Sequence, residues 1–291
     1  MPNIGNPLSR STRPQAVSTT VFDQHDIDVL GMRLRYIDVG PTAAEEPLDT
    51  LVVIPGHTAR IEGFDDMLPP LTADHRVLVV DLPGSGYSDK PDRAYTLELY
   101  EDVIAAFLDA VGVETAVPVG GSLGGNLVMR LGHRWPERFR RLVAWAPGGG
   151  WKAQPLVAAL TRRFGKRMFW PVVWTQSRFW YSRDFPGRRA ALDETFTYYR
   201  EIMCPGFIRM YFDIAADLLA NSLFDIAPHI EQPMLLLWGD QDNGGGMGKG
   251  VARIHELMPS CELHVFPGAR HSLEAEIADQ LSAAIGDWLR A

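Results

Sequence analysis

Cysteine is nearly absent: Cys204 and Cys261 are the only two among 291 residues, far apart and in no C-x-x-C spacing. That excludes a disulfide framework and leaves no visible zinc ligand set. No apolar run reaches the roughly 20 residues a membrane-spanning helix requires. The stretch from Met1 to Thr20 is polar, carries Pro2, Pro7 and Pro14, and lacks the apolar segment of a signal peptide. Residues 1–19 therefore read as a loose N-terminal arm. Basic residues are outnumbered, 28 against 36 acidic, for a formal net charge of -8, where a nucleic-acid binder would show a basic excess. Internal repeats and low-complexity tracts are lacking as well. What remains is an ordinary globular composition, 46% hydrophobic, long enough for one large α/β domain or two modest ones. The expectation is a cytoplasmic protein with a small-molecule partner, neither nucleic acid nor membrane, and with no signal for an oligomeric state.

Short apolar runs punctuated by glycine and proline then set the organisation. Alternation from Thr20 to Val39 around Gly31 predicts a hairpin of two edge strands. Leu51–Ile54, Arg76–Val80, Ala116–Val119, Leu142–Ala146, Met234–Trp238 and Glu262–Phe266 read as buried strands. Helical periods occupy Thr96–Val111, Leu123 to about Arg134, and Leu273 to Leu289. Strands alternating with helices imply a mostly parallel sheet covered on both faces. Residues 148–230 break that rhythm: they are helical, aromatic and basic, and read as a helical cap inserted in a core made of 20–147 and 231–291.

The chemistry is carried by Gly120-Gly121-Ser122-Leu123-Gly124-Gly125, a G-x-S-x-G pattern between a buried strand and a helix. A serine on so sharp a turn takes a strained backbone, and Gly120, Gly121 and Gly124 leave the space for it. The hydroxyl is thereby lifted above the strand end, and the Leu123 N–H faces a developing oxyanion. Two partners follow in the chain order this arrangement needs: Asp242 just past one strand and His271 in the loop after the next. His271 would exchange the Ser122 proton, and Asp242 would fix its tautomer and stabilise the imidazolium. Asp240, directly after Gly239, fits a supporting role in the loop. The glycine run Gly244–Gly250 fails as a phosphate loop, since Asn243 and Gly250 stand where a glycine and a Ser or Thr are required. It reads instead as a flexible connection. Arg162, Arg163, Lys166 and Arg167 read as a solvated helix face, with an entrance for anionic substrates as the alternative.

On these residues the chain resembles the α/β-hydrolase superfamily, in its capped, esterase-like serine branch. Asp81-Leu82-Pro83-Gly84-Ser85-Gly86-Tyr87-Ser88-Asp89-Lys90-Pro91 strengthens the likeness, matching a loop that shapes one wall of the site in that branch. The resemblance implies an eight-stranded α/β-hydrolase fold with an inserted cap and no metal or organic cofactor. It also implies a second oxyanion donor in Ile54-Pro55-Gly56-His57-Thr58, the backbone N–H of His57, although Pro55 departs from the usual His-Gly. The His57 imidazole either faces substrate or, as favoured, bonds its own loop. Arg60, Trp170 and Trp174 are candidate substrate contacts. The implied activity is hydrolysis of a small or medium, largely apolar ester or lactone through an acyl-enzyme. Perhydrolase or haloperoxidase, acyltransferase and carbon–carbon hydrolase chemistry would use the same triad, and slow-turnover ligand sensing is the alternative of another class. A serine at position 122 argues against the haloalkane dehalogenase and epoxide hydrolase branches, which carry aspartate there.

Overall fold

The computed structural model describes residues 20–41, 48–243 and 247–291. The N-terminal arm and Gly244–Gly246 lie outside the described residues. The apolar runs become the strands β1 (Gln24–Val29), β2 (Met32–Val39), β3 (Thr50–Ile54), β4 (Arg76–Val80), β5 (Val117–Gly121), β6 (Leu142–Trp145), β7 (Met234–Gly239) and β8 (Cys261–Phe266). They form one sheet in the order β1-β2-β4-β3-β5-β6-β7-β8. β1 and β2 pair antiparallel, β2 runs antiparallel to β4, and every remaining pairing is parallel. The hairpin is thus as expected, but of its two strands β1 alone lies at the sheet edge, because β2 bonds β4 on its other side.

The helices are α1 (Leu68–Thr72), α2 (Leu97–Ala110), α3 (Leu123–Arg134), α4 (Pro155–Phe164), α5 (Phe169–Trp180), α6 (Arg188–Ile202), α7 (Pro205–Ala220), α8 (Met247–Leu257), α9 (Leu273–Glu276) and α10 (Ala278–Arg290). Alternating strand residues feed two cores: Val52 and Ile54 pack on one face of the sheet, Leu51 and Val53 on the other. Continuous apolar strands arise because both faces are covered. α4 to α7 all fall between β6 and β7, and Phe169 anchors them, with the rings of Tyr199, Phe207, Tyr211 and Phe212 around it at 5.1–6.4 Å.

Two expectations need revision. The C-terminal helix is broken at Ile277 (φ -143°, ψ 41°) into α9 and α10. The Ser272 N–H bonds the Trp180 carbonyl at 3.1 Å, so the first turn is anchored to α5 while α10 follows the core. The glycine run is also less of a loop than expected, since α8 already begins at Met247. Within α8 a glycine is needed at position 250 because the helix passes Gly150 closely: a Cβ there would lie 2.2 Å from the Gly150 carbonyl oxygen.

Candidate active site

Strand β5 ends in the turn that presents Ser122. Its backbone sits at φ 56°, ψ -114°, a strained conformation for a residue with a side chain, of the kind held at functional sites. The turn is fixed from three sides: the Ser122 N–H bonds the Trp145 carbonyl at 3.0 Å, and the Ser122 carbonyl accepts from Asn126 (3.0 Å) and Gly148 (2.8 Å). The glycines are required by crowding. A Cβ on Gly124 would lie 2.0 Å from the Ile54 carbonyl oxygen, and one on Gly121 would lie 2.0 Å from Trp145 Nε1.

Asp242 is buried at the end of β7, and its Oδ2 lies 2.8 Å from His271 Nδ1. Burial lowers the His271 pKa, but the hydrogen bond and charge of Asp242, with Glu274 and Glu276 adding to it, carry it above its ordinary value. Asp240 does what its position suggested: its Oδ1 accepts from the Gly268 N–H at 2.8 Å, tying the loop after β7 to the loop after β8. Ser122, Asp242 and His271 line one cavity of about 750 Å³.

The loop after β3 reaches the same place. A Cβ on Gly56 would lie 3.4 Å from the Gly121 carbonyl and 3.5 Å from Ser122 Cβ, so the loop runs directly beside the serine. Thr58 has φ 66°, an outlier for a β-branched residue. Its hydroxyl meets the Tyr199 hydroxyl and its own neighbour's carbonyl, that of His57. The Leu123 N–H opens α3 and has no acceptor within that helix. Among the described residues neither it nor the His57 N–H finds a backbone acceptor. The His57 imidazole does not bond its own loop as favoured. It packs on Tyr211, ring centroids 4.6 Å apart, with its Nε2 buried and without a hydrogen-bond partner among the described residues, and burial drives its pKa down to about 4. It is therefore neutral at pH 7.

The remaining candidates fare differently. Arg60 lines the cavity, but its guanidinium is engaged: Nη2 meets Glu194 Oε1 at 2.8 Å, Nε meets Glu62 Oε2 at 3.5 Å, and the group stacks over Tyr198 at 4.3 Å. Trp170 and Trp174 are not in the cavity wall; they stand 38% and 58% exposed. The reason is helical phase: Phe169, Val173 and Ser177 are the buried residues of α5, and one residue further along turns a side chain about 100° away. Trp151 and Trp180 line the cavity instead. The loop from Asp81 to Pro91 stands behind the wall rather than in it. Asp81 is fully buried, accepts from the Ile61 and Tyr87 N–H groups at 3.0 and 2.7 Å, and meets Arg35 Nη2 at 2.6 Å. From there Gly86 N–H bonds the Tyr198 hydroxyl at 2.7 Å, positioning α6.

Glu274 went unnoticed in the sequence. Its Oε2 accepts from Trp145 Nε1 at 2.8 Å, it lines the cavity, and its negative charge acts on His271. Burial raises its own pKa. The available signal was its spacing, three residues after His271 on a helical turn.

Residues 49–274 match the model of the α/β-hydrolase fold, and the chain belongs to that family. A 2-hydroxymuconate semialdehyde hydrolase of a Pseudomonas species is 39% identical over 84 residues, 28% of this chain and 30% of that protein. A dihydrolipoyllysine-residue acetyltransferase component of an acetoin-cleaving system, from Cupriavidus necator, is 27% identical over 274 residues, 89% of this chain and 67% of that one. Among solved structures, the enol-lactonase of Burkholderia xenovorans superposes with a TM-score of 0.76 at 21% identity, over 92% of this chain and 100% of that one. Together these support a hydrolase without specifying its substrate. Among the described residues, no helix is long and apolar enough to cross a membrane.

Proposed function

We propose that this protein is a serine hydrolase that cleaves an uncharged, small or medium carboxylic ester or lactone. The carrying observation is the convergence in one cavity of a strained serine and an Asp242–His271 pair, with the Leu123 N–H at the start of α3 and the His57 N–H in the loop beside the serine finding no backbone acceptor among the described residues. In the proposed reaction His271 Nε2 takes the Ser122 proton as the Ser122 oxygen bonds the carbonyl carbon. The oxyanion is held by the N–H groups of Leu123 and His57. Collapse expels the alcohol with the proton from His271, and water activated by the same imidazole releases the acid. These steps need neither metal nor organic cofactor. The helices α4 to α7 act as the cap, of which α5, α6 and α7 supply Trp180, Tyr198, Tyr199 and Tyr211 to the cavity and shape it for an apolar acyl or alcohol part.

Charge supports the uncharged substrate. Glu62, Asp66, Glu194, Asp242 and Glu274 line the cavity against the one guanidinium of Arg60, which is already paired. Carbon–carbon hydrolysis is the second reading, favoured by the relative named for a muconate derivative. A muconate is a carboxylate, and this acidic lining works against its binding.

Labelling with a fluorophosphonate probe and peptide mapping, on wild type and Ser122→Ala, tests the proposal together with turnover of uncharged aryl esters. Labelling confined to Ser122, with kcat lower by about 10⁴-fold or more in the mutant, is the expected result. Turnover unchanged by Ser122→Ala would overturn it.

A further inference from the structure

We propose that the outer face of α4 and α5 docks onto an anionic lipid surface, an inference that goes beyond the hydrolase reading and does not depend on it. α4 is inverted for a helix of a water-soluble core. Its single buried residue is Ala158, whereas Leu156, Leu160 and Phe164, spaced as one helical stripe, stand 73%, 50% and 50% exposed. Val157, Met168 and Trp174 are further exposed apolar side chains of this segment. An exposed apolar stripe of this kind on α4 points to a docking site, since a solvated helix face would carry polar side chains there.

Charge selects the occupant. From Arg138 to Arg183 the chain contains no Asp or Glu, in a protein whose formal net charge is -8. Arg162 is turned toward Asp213 and Asp217 of α7, at 3.8 and 3.3 Å. Among the described residues Arg163, Lys166 and Arg167 have no ion pair. Arg163 and Arg178 instead lie over the rings of Phe164 and Trp174, at 5.3 and 4.0 Å. Cations interleaved with Leu, Phe and Trp on a helix pair too short to span are what an interfacial anchor on acidic headgroups requires. A second copy of the chain fits less well, because a two-fold contact would set each basic row against itself. α5 also contributes Gln176, Phe179 and Trp180 to the cavity wall, so the docked face borders the cavity.

The test is co-sedimentation of the full chain with vesicles of phosphatidylcholine alone and of phosphatidylcholine mixed with phosphatidylglycerol, at low and high salt. Two variant sets accompany it: Arg163→Gln/Lys166→Gln/Arg167→Gln, and Leu156→Ser/Leu160→Ser/Phe164→Ser. All these side chains are exposed, and a retained cooperative thermal unfolding transition would certify each variant as folded. Wild type should bind the anionic vesicles and be released by salt. The charge variant should lose about 100-fold in partitioning, and the apolar variant about tenfold or more. Failure of wild type to bind anionic vesicles at low salt would overturn the proposal, as would binding that both variants retain. Self-association of wild type, broken by the same substitutions without any vesicle binding, would assign the face to a second copy and overturn it too.

Discussion

At the scale of single residues, the imidazole of His271 is governed by opposing effects. Burial disfavours its charged form, and the carboxylates of Asp242, Glu274 and Glu276 favour it, with the net result above the ordinary value of 6.5. A general base works unprotonated, so activity falls as pH drops through its pKa, and a raised value puts that fall at higher pH. The acidic limb of kcat/KM should therefore lie above pH 6.5. Replacing Glu274 by Gln removes one of the charges that hold it there. That variant should move the limb to lower pH while keeping the plateau kcat within about tenfold, because Glu274 is not part of the proton exchange. An unmoved limb with a lowered plateau would instead make Glu274 a packing partner of Trp145. Neither effect is legible from composition: three residues of spacing hint at proximity, but the Trp145 N–H that orients the carboxylate comes from β6, 129 positions away.

At the scale of elements, the junction of β3, β5 and α3 is what the serine depends on. Gly124 lies where α3 crosses the end of β3, and a methyl group would collide with backbone, the Ile54 carbonyl, at 2.0 Å. Backbone cannot rotate aside as a side chain can, so Gly124→Ala should cost about 1–3 kcal/mol or more and lower Ser122 labelling in whatever protein folds. Gly63→Ala, where nothing lies within 4 Å of the added carbon, should leave the chemical denaturation midpoint in place. The contrast separates crowding from a general intolerance of added methyl groups. This junction was readable in the sequence because its signals are local: an apolar run, a glycine cluster, a helical period. The same holds for the places of Asp242 and His271, each just past an apolar run. The inserted helices were not readable in that way. Trp170 and Trp174 miss the cavity by helical phase on α5, and the phase is set by how Phe169 packs among rings of α6 and α7. Arg60 was legible as a charge near the loop after β3, but its pairing with Glu194 of α6 required the two elements to be brought together.

At the scale of the whole molecule, charge is unevenly divided. The net excess is acidic, the cavity carries Glu62, Asp66, Glu194, Asp242 and Glu274 in its wall, and Arg163, Lys166 and Arg167 of α4 and the turn after it are exposed. On the proposed reading, this acidic lining disfavours a negatively charged substrate more than a neutral one. Two aryl esters of matched length, one with an uncharged acyl chain and one ending in a carboxylate, isolate that effect. The uncharged ester should be the better substrate, by about tenfold or more in kcat/KM at low salt. Added salt screens the field over roughly 8–10 Å at physiological strength, so it should raise kcat/KM for the carboxylated ester and leave the uncharged one nearly constant. The narrowing of the ratio with salt is the informative quantity, since a steric preference would persist at every ionic strength. Preference for the carboxylated ester, weakened by salt, would mean that the Arg60 guanidinium leaves Glu194 to meet the substrate, and would put a carboxylate-bearing substrate ahead of the uncharged one.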